Sequence, residues 1–140
     1  MLSEKMIEIK TKTVDGEGNT DVIEMTSVGK YGVRNGKAYI SYDDSSSLGV
    51  DDVKTTLSAD DRSVVLRRSG GLQTRLDIER GERHQCHYST AIGDMSVGIF
   101  GELLENRLGA GGGSLKMSYT VDVNSELLTK NVVEITVKEV

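Results

Sequence analysis

An all-β fold is what this sequence predicts: one antiparallel up-and-down barrel of roughly 8–10 strands, with residues 1–140 as a single domain. Three observations carry that prediction. Apolar and polar residues alternate in one short segment after another, the period of a strand with one buried and one wet face. The chain has 16 glycines and no proline. Its turns therefore rest on Gly, Asn and Asp, which accept the positive φ of tight hairpins. The segments also follow one another closely, which favours consecutive hairpins, and closing such a meander removes its exposed edges.

Taken in order, residues 6–14 carry Ile7 and Ile9 on one face, and Asp15-Gly16-Glu17-Gly18 ends them. Residues 21–28 are β-branched and apolar on both parities, through Val22, Ile23, Met25 and Val28. Asn35-Gly36 is a strong two-residue hairpin signal, and residues 38–42 form a good strand after it. A Ser/Asp-rich loop follows over residues 43–49. Strands over 53–57 and 63–68 are separated by Ala59-Asp60-Asp61-Arg62. Residues 72–79 alternate in even register, and Arg80-Gly81-Glu82 turns the chain into a strand over 83–90. Gly93-Asp94 marks a turn before Met95, Val97 and Ile99. Residues 102–108 have helical propensity, but a helix that short is marginal in isolation, so a strand is expected. The glycine run over 109–114 reads as a flexible, mobile connection rather than a domain linker. The clearest strand is 115–123, apolar at every odd position. Asn124-Ser125 turns it into a last strand built on Val133, Ile135 and Val137.

Composition narrows the function classes. The net charge is −5, and Arg67-Arg68 is too short a basic run to engage phosphates, so no nucleic acid is expected. No apolar run approaches the ~20 residues of a membrane span, and residues 1–10 place charges where a signal peptide needs an apolar stretch. The expectation is no membrane and no export. Cys86 is the single cysteine and has no internal disulfide partner, which fits a reducing, cytoplasmic setting.

Arg68-Ser69-Gly70, then Gly81, then Tyr88-Ser89-Thr90-Ala91-Ile92-Gly93-Asp94, the late glycine cluster and the strands after it make the chain similar to the YwiB-like family of uncharacterised bacterial proteins. The resemblance covers nearly the whole chain. It implies a calycin-like barrel, akin in architecture to lipocalins and fatty-acid-binding proteins, and it brings no activity, cofactor or catalytic residue. One departure is local: Ala91-Ile92 stands where the family has a Tyr-x-Thr-Pro-Tyr-Gly type of turn. The analogy to ligand carriers is one of fold.

Parity asks which polar residues face inward. Arg68 shares a face with Val64 and Leu66; His84, Cys86 and Tyr88 share another; Thr74 and Tyr119 lie on well-patterned strands. Arg68, Thr74, His84, Tyr88 and Tyr119 are therefore the candidate ligand-binding residues. An inward arginine would clamp a carboxylate or phosphate at two points. The plainer reading has Arg68 satisfied by a nearby acid or carbonyl at a barrel mouth. In His84-Gln85-Cys86-His87 a strand turns His87 away from the other two, too few ligands for zinc, so neither metal nor other cofactor is expected. His84 lies some ~7 Å from Cys86 along the strand, too far to activate it, and a small core cysteine is the better reading. The glycine run lacks a phosphate-loop ending. Asp43-Asp44 and Asp51-Asp52 match no calcium loop and read as solvated turn acids.

Three functions remain open. The first is a non-enzymatic barrel for a small, partly apolar and anionic ligand. The second is an interaction module or homodimer with a filled core, motivated by the two-sided apolar pattern at residues 22–28. The third is an enzyme using His84 or Tyr88 as acid or base. No catalytic residue is assigned.

Overall fold

The structure, a computed structural model, describes residues 2–43, 52–70, 73–90, 93–124 and 126–140, and all side chains among them except those of 88–90 and 93–94. Ten strands follow in chain order: β1 (Ser3–Asp15), β2 (Thr20–Arg34), β3 (Lys37–Asp43), β4 (Val53–Ala59), β5 (Ser63–Gly70), β6 (Thr74–Glu79), β7 (Arg83–Thr90), β8 (Gly93–Gly109), β9 (Gly112–Val123) and β10 (Glu126–Lys138). Each pairs antiparallel with its sequence neighbour, and β1 against β10 closes the ring. The expected up-and-down barrel is thus observed. Residues 102–108 lie within β8, as a strand.

Alternation explains which way each strand faces. Ile7 and Ile9, Ile40, Leu57, Val64, Leu76 and Ile78, Val97 and Ile99, Leu115 and Met117, and Ile135 and Val137 are all buried and fill the lumen. The outer wall carries cross-strand charge pairs instead: Lys138 with Glu8 (3.0 Å), Lys116 with Glu134 (3.7 Å) and Lys10 with Glu24 (3.8 Å). A membrane barrel has the opposite polarity, with an apolar band outside.

A meander has two unlike ends. At one, here the base, the β2–β3, β4–β5, β6–β7 and β8–β9 turns meet both termini. Asn35 and Gly36 take φ of 52° and 76°, the expected two-residue hairpin. Asp60 accepts the amides of Arg62 (2.8 Å) and Ser63 (2.7 Å), and the Arg62 bond holds its carboxyl below the ordinary range. Two side chains tie the base across the barrel. Buried Tyr31 on β2 donates its hydroxyl to the Gly109 carbonyl (2.6 Å) on β8. Asn106 on β8 donates to the Asp60 carbonyl (3.1 Å).

The glycine run departs from expectation. Gly109 pairs with Gly112, so the turn is only Ala110-Gly111. Gly112 and Gly113 already belong to β9. Their φ values are 127° and 132°, and a Cβ on either would overlap a carbonyl oxygen, that of Val137 or Arg107. These glycines let three strands approach closely, which is a reason for glycine unrelated to mobility. Residues 21–28 also depart from it. Apolar side chains on both parities suggested a strand covered on both faces, yet Val22, Ile23 and Val28 are all exposed. The Ser/Asp-rich loop beyond Asp43, the acids Asp44 and Asp51, the Ala91-Ile92 turn and Ser125 lie outside the described residues.

Candidate functional site

The other end of the barrel, the mouth, is where the lumen turns polar. Along β1 the inward positions change from Ile7 and Ile9 to Thr11 and Thr13, and along β10 from Val133 to Asn131 and Thr129. Thr55 on β4, Arg68 on β5 and Thr74 on β6 stand side by side, since Arg68 pairs across to both threonines. Thr55 and Thr74 are buried and Arg68 is half-buried. These three side chains form a polar collar at the mouth, with no counterpart among the apolar residues at the lumen's centre.

A cavity of about 270 Å³ opens on this end. Its wall combines Leu76, Met95, Val97 and Val121 with the Tyr119 ring and the Asn131 amide. The amide is held in place from both sides. The Thr13 hydroxyl donates to Asn131 Oδ1 (2.9 Å), and Asn131 Nδ2 donates to Thr129 Oγ1 (3.0 Å). An amide nitrogen has two N–H donors, so this chain of three side chains leaves the second one for another acceptor. Arg68 lies one strand from the cavity wall: its partner Thr74 is two residues from Leu76 on the same face of β6.

The five sequence-derived candidates are distributed as follows. Tyr119 lines the cavity. Thr74 and Arg68 belong to the polar collar beside it. Tyr88 sits on β7 opposite Met95, at the same end, and its side chain is outside the described residues. His84 lies toward the base. Its Nε2 is 2.8 Å from Glu79, which also takes Arg62 Nε at 2.9 Å, and the imidazole is 39% exposed. The bond from Arg62, then that from His84, holds the Glu79 carboxyl below its ordinary range. The cause of this placement is a register break. β6 and β7 share the pair Arg75–His87, and the Glu79–Glu82 bridge is one residue out of step with it. Sequence reasoning missed Thr13 and Asn131. The signal that finds them is the switch from apolar to polar on a single parity, in β1 and in β10, at the same end.

Cys86 fills that same irregular seam. It is buried, its sulfur accepts the Asp77 amide (3.3 Å), and its thiol points at the His84 carbonyl (3.8 Å). Burial pushes the thiol pKa up, which disfavours the nucleophilic thiolate. In the folded protein Cys86 should therefore react with a disulfide reagent at pH 8 at least about tenfold more slowly than in urea. Equal rates would show that the thiol is exposed. Among the described residues no group of three His, Cys, Asp or Glu side chains is placed to hold a metal.

Comparison with known proteins agrees with this architecture. A family described as a domain of unknown function (DUF1934) matches residues 7–135. The uncharacterized beta-barrel protein YwiB of Bacillus subtilis (strain 168) is 27% identical over 127 residues, which span 90% of this chain and 88% of that protein. The crystal structure of the ywiB protein from Bacillus subtilis superposes with a TM-score of 0.78 at 22% identity, covering 96% of this chain and 92% of the other. At that identity the likeness is one of fold.

Proposed function

The chain belongs to the DUF1934 family, whose description assigns no function, and from the geometry of the mouth we propose that it is a non-enzymatic binding barrel for a small, partly apolar ligand. The observation that carries this reading is the coincidence, in one cavity, of an apolar wall and the Asn131 amide held by Thr13 and Thr129. Ligand sites have that make-up: a mostly apolar concavity with a few fixed polar groups that orient the occupant. At about 270 Å³ the space lies just under the usual range of ~300–1,000 Å³, which calls for a compact ligand. Its body would pack on Leu76, Met95, Val97 and Val121. A hydrogen-bonding group would meet Tyr119 and Asn131. An anionic group would be drawn toward Arg68, whose planar guanidinium suits a carboxylate or phosphate.

A fluorescent probe with both features, anilinonaphthalene sulfonate, tests the reading. Saturable binding with blue-shifted emission is expected. Val121→Phe fills the cavity and should weaken it about tenfold or more, the affinity scale of ~1.4 kcal/mol. Arg68→Gln should weaken this anionic probe more than a neutral naphthalene. Unsaturable binding by the parent protein, or undiminished binding by a folded Val121→Phe variant, would sink the proposal.

A further inference from the structure

A groove of about 450 Å³ crosses the outer wall toward the base, over β2, β3 and β4. It shares no lining residue with the mouth cavity. Its centre is the ladder pair Gly32–Tyr39. Gly32 carries no side chain, so the strip beside the half-buried Tyr39 is bare backbone. Leu2 and Val33, 53% and 41% exposed, line the same groove. Apolar side chains exposed singly mean little, but grouped in a concavity they mark a binding surface.

The charges around this groove break the pattern of the rest of the wall. Elsewhere cation faces acid across the strands, as at Lys116–Glu134 and Lys10–Glu24. Three other grooves on the outer surface are each lined by two or more acids. Among the described residues this one is lined by none, and it is lined by Arg34. Arg34 stands directly opposite Lys37 in the β2–β3 ladder. Neither side chain belongs to an ion pair or hydrogen bond. Lys37 attracts the Asp60 carboxylate, but the amides of Arg62 and Ser63 already occupy that group. Like charges directly opposite destabilise a strand pair, and an anion seated between them turns that repulsion into attraction. The chain as a whole carries a net charge of −5, so an acid-free groove ending in two cations is a local reversal.

We infer that this groove binds a small aromatic carboxylate, with its ring against Tyr39 over the Gly32 backbone and its carboxylate on Arg34, beside Lys37. Each part of the ligand follows from a part of the groove. A strip without side chains next to a tyrosine admits a planar body, and ring pairs gain beyond simple burial. Leu2 and Val33 close the apolar part. Arg34 is two residues from Gly32 on the same face, roughly 7 Å along the strand, which one ring and its carboxylate span. A guanidinium holds a carboxylate at two points. The volume falls inside the usual range of ~300–1,000 Å³ for ligand sites, enough for a body of one or two rings.

Amide chemical shifts of the full chain, followed by NMR during titration with 2-naphthoate, test the site. Saturable shifts are expected at Gly32, Arg34, Tyr39 and Thr56, the last on the β4 side of the groove. Read at those amides, naphthoate should bind at least about tenfold more tightly than neutral 2-naphthalenemethanol. Arg34→Gln should bring the two probes within about twofold of each other. Tyr39→Ser should weaken both at least about fivefold. Thermal melts should confirm that the variants fold. Val121→Phe, which fills the mouth, should leave the groove shifts unchanged, so this inference and the mouth reading fail separately. Saturable shifts confined to Val121 and Asn131, or none at all, overturn the inference. So does an undiminished preference for the anion in a folded Arg34→Gln variant. A second copy seated in the groove, seen as shifts of the same amides when the protein alone is diluted, overturns it too.

Discussion

Replacing Gly113 with alanine is expected to remove about 3 kcal/mol of unfolding free energy, measured by urea denaturation, while Gly111→Ala leaves it within about 0.5 kcal/mol. The two glycines are two residues apart in one run, so the contrast isolates geometry from composition. Gly111 sits in the turn, where an added methyl group would meet nothing within 4 Å, and its φ is not in the left-handed region. Gly113 has φ 132°, and its Cβ would overlap the Arg107 carbonyl oxygen. Such backbone conformations cost of order 1–3 kcal/mol for a residue with a side chain. The clash adds to that cost, because Gly113 pairs with Leu108 in the β8–β9 ladder and the Arg107 carbonyl beside that pair is fixed by the pairing. Domains of this size have only about 5–15 kcal/mol to lose. Small and equal losses at the two positions would mean that the run is the flexible connection that the sequence predicts.

The same run shows where the sequence is legible and where it is not. Glycines announce a break in a pattern, but they do not say whether the reason is a turn or a close approach. Asn35-Gly36 is unambiguous because type and spacing specify one turn, and both residues take positive φ. Alternation is equally clear in β9, where odd positions Leu115 and Met117 are buried. It blurs in residues 102–108 because a bulge between Gly101 and Leu103 inserts one residue. Beyond it the inward parity flips, from Val97 and Ile99 to Leu104 and Asn106, and the combined spacing imitates a helix.

Which candidate side chains face the lumen was legible by the same rule, and obscured where a ladder breaks. Thr74 and Tyr119 lie on unbroken strands, and both face the lumen at the mouth. Parity grouped His84 with Cys86 and Tyr88, but the broken β6–β7 ladder lets its ring reach Glu79 on the outer side. Which end of the barrel a residue occupies follows from the direction of its strand. Arg68, at the end of β5, therefore shares the mouth with Thr74, at the start of β6, while His84, at the start of β7, falls near the base.

Truncating β8 residue by residue should display that flip as energy. Ile99→Ala is expected to cost about 2–5 kcal/mol, since the side chain is fully buried and leaves a cavity. Phe100→Ala should cost about 1 kcal/mol or less, although phenylalanine is the larger residue, because it faces outward and is 37% exposed. Past the bulge the costly position becomes an even one. Leu104→Ala, at a site 4% exposed and paired with buried Met117, should again cost about 2–5 kcal/mol. Leu103→Ala, half-buried on the outer side, should cost clearly less. The pattern costly, cheap, cheap, costly over Ile99, Phe100, Leu103 and Leu104 belongs to a strand with one inserted residue. An unbulged strand would make Leu103 the costly leucine. A helix would spread the loss over neighbours three and four apart, so that Ile99 and Leu103 fell together. Chemical denaturation of the four variants therefore tests the register of β8 on either side of its bulge, and with it which β8 side chains fill the lumen toward the base.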